Sequence, residues 1–300
     1  MLVIAISTLG YLLLAITFII DKYILSSAKQ PPVVYTVYST VSLLIVLLAI
    51  PFGVTVLPAL GLWWWSAISG ITFAFALWVM FVALEHGEAT HILPFIGVWI
   101  VLATVILSRF LLEEQLTMMQ QLGVLVLVFS AILLSFERTR KKKPGFHIWY
   151  AWALLSGVLY GVSHVAAKIV YDVVPFVTGF FWTRLFIVPL GLMLFFNPCV
   201  HRKFNRDRKK SAALRTIWLV IASKVLAALA VVLIQYAISL GSVSIVQALA
   251  GVHYTILFVL VFLLTKFAPK IFKEFFTKKE ILIQIVALIL VFIGLYLFTV

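Results

Sequence analysis

Residues 83–123 read ALEHGEATHILPFIGVWIVLATVILSRFLLEEQLTMMQQLG. This pattern predicts the end of one apolar helix, a tight polar turn at Gly87, and a second apolar helix that is interrupted at Pro94. The second helix ends close to the charged residue Glu114, and Thr117 begins a third helix. The same unit recurs later in the chain, and this recurrence decides the fold.

The second copy of the unit lies 154 residues downstream, so that Gly87 corresponds to Gly241. After a short insertion the offset is 160 residues, and Glu114 corresponds to Glu274. Two copies of one helical unit in a single chain indicate an internal repeat, which is a common plan among secondary transporters.

The composition indicates a membrane protein. Hydrophobic residues make up 64% of the 300 positions and charged residues only 11%, whereas a soluble domain carries about a quarter charged residues. The apolar runs are long enough for helices of roughly 20 residues that cross a bilayer. They are continuous and lack the alternation of a transmembrane β-barrel. We therefore predict an all-α polytopic membrane protein.

We predict ten transmembrane helices, spans 1 to 10, at residues 2–20, 33–50, 62–84, 89–108, 117–136, 148–170, 176–196, 215–239, 243–265 and 280–299. A basic linker at residues 138–143 separates two halves of five spans each, residues 1–140 and 141–300. An odd number of spans per repeat forces the second copy to enter the membrane from the opposite side. The predicted fold is therefore two inverted five-helix repeats.

The distribution of lysine and arginine predicts the orientation in the membrane. Of these 23 residues, 19 lie in the loops between spans 1 and 2, 5 and 6, 7 and 8, and 9 and 10. The opposite side has at most Arg109 and Lys168. The positive-inside rule places the 19 in the cytoplasm and both termini outside. We expect a multi-pass protein in the plasma membrane of a bacterium or archaeon, in contact with the lipid bilayer.

Several kinds of chemistry are excluded or disfavoured. Cys199 is the only cysteine, so the chain has no internal disulfide, cysteine-based zinc site or iron–sulfur cluster. The basic loops are short and lie next to the membrane, which argues against a nucleic-acid partner despite the net charge of +13. The sequence contains no Walker-type, GxSxG or HExxH motif. We predict neither an enzyme nor a bound cofactor.

The repeated unit, with Lys22 and Lys168 near the ends of spans 1 and 6 and Arg184 in span 7, resembles the EamA-like transporters of the drug/metabolite transporter superfamily. The resemblance covers nearly the whole chain as two tandem copies. It implies ten helices in an inverted-repeat bundle around a central substrate cavity. It also implies transport of small metabolites, often the export of amino acids or related compounds. The chain departs from the family pattern in span 2, where Tyr38 and Ser39 stand instead of an arginine, and in the outside position of both termini.

Two cationic side chains are predicted to lie deep in the bilayer. Arg184 lies about eight residues into span 7, roughly 12 Å at the helical rise, and Lys224 lies at a similar depth in span 8. Acidic residues such as Asp21 are predicted only near span ends. Unpaired cations at this depth favour an anionic or carboxylate-bearing substrate. The alternative is that they bond helix carbonyls or an acid at a span end for packing alone.

Helical spacing gathers further polar residues on one face of span 6. Tyr160, His164 and Lys168 form a stripe there, in line with the glycine pair Gly157 and Gly161. Two glycines four residues apart permit close contact with another helix. We predict that the three polar residues bind substrate, with interhelical hydrogen bonding as the alternative.

The later spans carry comparable faces. Gln235 lies three turns after Lys224 on the same face of span 8, and Gln247 shares a face of span 9 with Tyr254. We predict substrate contacts for these four residues as well, again with interhelical hydrogen bonding as the alternative. His253 points away from the Gln247 face, and for it we expect a structural role.

The hairpin between spans 3 and 4 is a candidate gate. Glu85 and His91 flank it and could titrate as the gate opens, because histidine changes charge near neutral pH. Pro94 supplies a bend for the movement. Trp78 lies two turns before Glu85 on the same face, either as an aromatic wall of the site or facing lipid. The carboxylate and imidazole groups of this hairpin straddle a turn and no second cluster completes them, so we predict no metal site.

These features favour a secondary transporter that moves a small polar metabolite, an amino acid or other carboxylate-bearing compound, across the plasma membrane by alternating access. Export is the expected direction, and protons are the candidate coupling ion. One alternative is a multidrug or cation exporter of the same superfamily, which needs a carboxylate within the membrane. Another is a flippase for a lipid-linked carrier. The sequence is compatible with both a monomer and a homodimer.

The predicted orientation can be tested by cysteine labelling in a variant in which Cys199 is replaced by serine. Glu113→Cys, between spans 4 and 5, should react with a membrane-impermeant maleimide in intact cells. Lys141→Cys, between spans 5 and 6, should react only after the cells are permeabilised, because its loop is one of the basic ones. The reverse pattern would place the basic loops outside.

Overall fold

The computed structural model describes residues 2–26, 31–87, 89–135, 148–198, 200, 212–267 and 278–299. Within these ranges the regular structure is helical. The helices are α1 Leu2–Ser26, α2 Pro32–Ser42, a 3-10 segment Leu43–Phe52, α3 Leu60–His86, α4 Ala89–Leu111, α5 Met118–Ser135, α6 Ile148–Tyr171, α7 Phe176–Leu185, α8 Val188–Phe195, α9 Ala212–Leu240, α10 Val243–Ala248, α11 Ala250–Phe267 and α12 Lys278–Thr299.

Eight helical stretches are long and apolar enough to cross a membrane. They are Leu2–Asp21, Pro32–Phe52, Leu60–Glu85, His91–Leu111, Ile148–Tyr171, Phe176–Phe195, Trp218–Leu240 and Val243–Phe267. Two shorter apolar helices, Met118–Leu133 and Ile281–Gly294, fall at predicted spans 5 and 10. The prediction of an all-α polytopic membrane protein is therefore confirmed, while the number of ten spans stays a prediction.

Three predicted spans are not single straight helices. Span 2 changes from α-helix to 3-10 helix at Leu43, and span 7 is divided into α7 and α8 around Phe186 and Ile187. Span 9 is divided into α10 and α11 at Leu249. These changes alter which side chains face the protein interior beyond each break.

The interruption that we predicted at Pro94 is wrong, because α4 continues through it. Pro94 lies in the second turn of α4, where the missing N–H removes a single backbone hydrogen bond close to the helix start. Pro189 lies in the first turn of α8, a position that proline tolerates.

Helix α6 packs against both α3 and α4, α1 packs against α9, and α5 packs against α12. Between α3 and α6 the Ser69 hydroxyl donates to the Ser163 carbonyl at 2.9 Å, and the Ser163 hydroxyl donates back to the Ser69 carbonyl at 2.8 Å. Such hydrogen bonds hold helices together in a bilayer, where lipid is as apolar as the side chains and burial alone supplies little driving force.

The predicted close contact at the glycine pair of α6 is confirmed. A Cβ atom placed on Gly157 would lie 2.5 Å from the Cβ of Trp99, and one placed on Gly161 would lie 2.6 Å from the Cβ of Ala103. Both neighbours belong to α4, so the two glycines set the distance between α4 and α6.

Gly157→Ala should therefore destabilise the protein, because overpacking a tight contact costs about 1–3 kcal/mol. Gly61→Ala in α3 is the matched control, since a Cβ there has no neighbour within 4 Å. Alanine should stabilise a helix at that position by roughly 0.5–1 kcal/mol. Thermal unfolding of both purified variants in detergent measures the difference, and equal melting temperatures would contradict the packing argument.

Candidate functional site

A cavity of about 140 Å³ lies at the centre of the helix bundle. Its wall contains residues from both halves of the chain and is mostly aliphatic and aromatic. The polar and tyrosine side chains in the wall are Tyr11, Thr17, Asp21, Ser39, Ser42, Tyr160, His164, Lys224, Gln235, Gln247, His253 and Tyr254. The cavity therefore combines an apolar volume with a limited set of hydrogen-bonding groups, as ligand pockets commonly do.

Six of the nine residues that we predicted to bind substrate line this cavity. They are Tyr160, His164, Lys224, Gln235, Gln247 and Tyr254. They lie on α6, α9, α10 and α11, and the inward faces of these helices bring them together. The other three, Lys168, Arg184 and Trp78, are not among the lining residues.

Lys224 is paired with an acidic residue, so the prediction that it is an unpaired cation is wrong. Its Nζ lies 3.4 Å from both carboxylate oxygens of Asp21, and both side chains are buried. The hydroxyls of Tyr35 and Ser223 also donate to Asp21. The Lys224 ammonium lies 4.0 Å from the centre of the Tyr35 ring, a cation–π contact.

The physical reason for this pairing is the length of α1. We predicted span 1 to end at residue 20, but α1 continues to Ser26, which places Asp21 inside the helix and beside α9. An ionised carboxylate in the membrane is costly unless it is paired. Lys224 and Asp21 therefore satisfy each other, and the cavity wall gains one charge of each sign.

Lys168 also has an acidic partner. Its Nζ lies 2.8 Å from the carboxylate of Asp172, one turn further along, at the end of α6. Asp172 is partly exposed, so this ion pair contributes little to stability. Lys168 shares the face of His164 and Tyr160 but lies beyond the cavity, which ends before the last turn of α6.

Arg184 is fully buried behind the cavity wall. Its guanidinium carbon lies 4.4 Å from the ring centre of Phe73, which lines the cavity, and 5.6 Å from that of Phe180. The Tyr171 and Tyr160 hydroxyls are close enough to interact with it electrostatically. The Tyr171 hydroxyl is a weak hydrogen-bond partner of the guanidinium, and no acidic side chain within the described residues pairs with it.

His164 and Gln235 belong to a chain of hydrogen bonds. The Tyr171 hydroxyl donates to Gln235 Oε1 at 3.0 Å, and Gln235 Nε2 lies 3.0 Å from His164 Nδ1. Because the amide oxygen already accepts from Tyr171, the amide nitrogen donates to Nδ1, and the neutral imidazole carries its proton on Nε2. This chain holds one wall of the cavity in a defined orientation.

His253 lines the cavity. We did not predict this position, because we expected only a structural role for His253. Helices α10 and α11 meet at Leu249, and His253 and Tyr254 of α11 both line the cavity together with Gln247 of α10. The His253 ring lies 5.2 Å from that of Phe18 and 4.8 Å from that of Tyr254. The signal that could have found it is a histidine next to a tyrosine in an otherwise apolar span.

Two cavity groups are buried without a hydrogen-bond partner among the described residues. They are Nε2 of His253 and Nε2 of Gln247. Buried polar atoms are nearly always bonded in native proteins, so each unpaired atom requires an explanation. Both belong to side chains that line the cavity, although the nitrogens themselves are turned into the wall.

The predicted gate residues and Trp78 do not line the cavity. Trp78 packs near Phe75, and α3 presents other residues to the cavity, including Leu77. Glu85 is exposed and His91 is buried, on either side of the turn between α3 and α4. A role in proton coupling for Glu85, His91 and Pro94 stays a prediction. Within the described ranges no three histidine, cysteine or acidic side chains are placed to hold a metal ion.

Comparison with known proteins shows a shared fold. No family model matches the chain, and no curated protein matches it. A solved structure described as "Crystal structure of protein" matches it with a TM-score of 0.69 and 19% sequence identity, over 99% of this chain and 95% of that one. The two chains therefore share a fold over almost their whole length.

Removing one member of the buried ion pair should be much more damaging than removing both. Lys224→Met leaves the Asp21 carboxylate buried without its cation, which costs about 3–5 kcal/mol. The double variant Asp21→Asn with Lys224→Met should recover most of the lost stability. Thermal unfolding in detergent measures both, with Lys168→Met as the control, because its partly exposed pair is worth at most about 1 kcal/mol. A Lys224→Met protein as stable as the parent would contradict the pairing.

Proposed function

We propose that the protein is a secondary transporter that moves a small amphipathic organic solute across the plasma membrane by alternating access. The observation that carries the proposal is the central cavity, whose largely apolar wall holds the Asp21–Lys224 ion pair and the incompletely bonded side chains of Gln247 and His253. A structural core would leave neither the space nor the unpaired groups.

We further propose that the chain forms ten spans in two inverted repeats, as in the EamA-like transporters that it resembles. The packing of the helices supports this. When each helix is replaced by the corresponding helix of the other half, a contact between two helices becomes another observed contact. The contact of α1 with α9 corresponds to that of α6 with α3. The contact of α5 with α12 is its own counterpart, because these two helices are the last in each half. The second span of each half is also interrupted in its middle, at Leu43 in one and at Phe186 in the other.

The charges of the cavity favour a zwitterion such as an amino acid over a simple anion. Lys224 carries Asp21 as its counterion, and Arg184 lies outside the wall, so the lining has no excess positive charge. A zwitterion can place its carboxylate at Lys224 and its ammonium group at Asp21, which exchanges one ion pair for two. Its side chain would then occupy the apolar part of the cavity, beside rings such as that of Phe81.

The size of the cavity suits a small solute. A volume of 140 Å³ corresponds to about ten water-sized positions. The side chains that line the cavity are also compatible with protons as the coupling ion. We retain Glu85, His91 and Pro94 as the proposed gate.

A cation exporter of the same superfamily is the second candidate, and one observation favours it. That activity needs a carboxylate inside the membrane, and Asp21 occupies such a position in the cavity wall. The aromatic rings of Tyr35 and Phe81 around the neighbouring ammonium would also attract an organic cation.

A matched set of three solutes distinguishes these functions in proteoliposomes. Leucine carries both charges, 3-methylbutylamine carries only the cation, and 4-methylpentanoate carries only the anion on the same carbon skeleton. We expect leucine to be transported faster than either analogue. Transport is measured as uptake of the labelled solute into proteoliposomes that contain an excess of the same unlabelled solute. The double variant Asp21→Asn with Lys224→Met should lose it, whereas Lys168→Met should not.

Preferential transport of the amine would favour the cation exporter, and preferential transport of the carboxylate would favour an anion carrier. Equal rates in protein-free liposomes and proteoliposomes for all three compounds would contradict a carrier for solutes of this class.

A further inference from the structure

A second opening lies on the side of the bundle, between the 3-10 segment, α7 and α9. It is a groove of about 420 Å³. Its rim carries large apolar side chains that are exposed on the protein surface, among them Leu48 at 68%, Phe52 at 77% and Leu229 at 53%. In a membrane-spanning bundle such a surface faces the acyl chains of the bilayer.

Thirteen of the fourteen residues that line this groove are apolar, and the exception is Arg184. The guanidinium group stays charged in proteins and offers five N–H donors. The rings of Phe73 and Phe180 and the hydroxyl of Tyr171 stabilise the positive charge, but no carboxylate among the described residues neutralises it. A buried arginine in this state is costly in a bilayer.

The groove has the features of a site for an anion with an apolar tail. An isolated water molecule there would find one polar side chain among the lining residues, whereas a buried water usually makes about three hydrogen bonds. A carboxylate instead accepts two parallel hydrogen bonds from a guanidinium and cancels its charge. The apolar walls, which follow a 3-10 segment about 18 Å long, match a hydrocarbon chain.

The depth of Arg184 along α7 restricts the kind of anion that can reach it. Arg184 lies eight residues after Phe176, so an occupant must bring its charge about 12 Å along the helix from the start of α7. A carboxylate on a single chain can reach this point, whereas a phospholipid would have to bury its glycerol backbone and a second chain as well.

We propose that this groove binds a long-chain carboxylate, such as a fatty acid anion, that enters from the bilayer and pairs with Arg184. The groove adjoins the central cavity, because Leu43 and Ala228 line both. Arg184 itself lies between Phe180 on the groove side and Phe73 on the cavity side. The inference goes beyond the proposed transport of small solutes and does not rest on it.

A photoactivatable fatty acid with a diazirine in its chain tests the proposal on the purified full-length protein in phosphatidylcholine nanodiscs. Labelled residues are located by mass spectrometry. We expect label on residues 43–52 and 225–232, and competition by unlabelled oleate. Oleyl alcohol, which has the same chain without the charge, and acetate, which has the charge without the chain, should compete at least about tenfold less well, because a charge-assisted pair and the chain are both required.

Arg184→Met should reduce the label in these two segments about tenfold or more, and Arg184→Lys should retain part of it. Val225→Trp fills the groove from its exposed rim and should block labelling without disturbing Arg184. Leu282→Trp, on the exposed face of α12 outside the groove, is its matched control and should leave the label unchanged.

Three outcomes would overturn the proposal. Label spread evenly over all exposed helices would indicate ordinary boundary lipid. Equal labelling of the parent and a folded Arg184→Met protein, with melting curves as the check, would remove the role of the arginine. Labelling of the groove by a photoactivatable phosphatidylglycerol but not by the fatty acid would replace the proposed occupant with a phospholipid.

Discussion

The carboxylate of Asp21 accepts hydrogen bonds from Tyr35 on α2 and from Ser223 and Lys224 on α9. Three helices therefore meet at one buried charge. Inside a bilayer no water is present to solvate an ionised group, so the group must be paired by the protein. The same constraint explains the reciprocal bonds between Ser69 and Ser163. Polar pairing of this kind, added to close packing at glycine, holds the helices in place.

This constraint makes the unpaired groups informative. Several buried polar side chains lack partners in whole or in part within the described chain, and three of them, Gln247, His253 and Arg184, lie beside an open volume. The first two line the central cavity and the third lies at the floor of the lateral groove. Polar atoms that a fold leaves unsatisfied mark the positions where a ligand or water completes the structure.

The two halves of the chain contribute unequally to the cavity. At the offset of 154 residues between the two predicted repeats, Gln235 corresponds to Phe81 and Gln247 to Leu93. All four residues line the cavity. The second half therefore supplies an amide where the first half supplies an apolar side chain. The two halves therefore differ in chemistry at equivalent positions of the cavity wall.

Hydropathy and spacing act over short distances, so the sequence alone determined the membrane class, most helix positions and the close approach at Gly157. Which side chains meet across the bundle depends on the relative positions of helices that lie far apart in the chain. The pairing of Asp21 with Lys224 joins residues 203 positions apart. The spacing of residues could not predict this pairing, because the composition did not show where α1 ends. His253 likewise lines the cavity, although the period of a straight helix predicts that it points away from the face of Gln247. Only the tertiary structure decided these contacts, since each depends on the register between two helices and not on the order of residues within one.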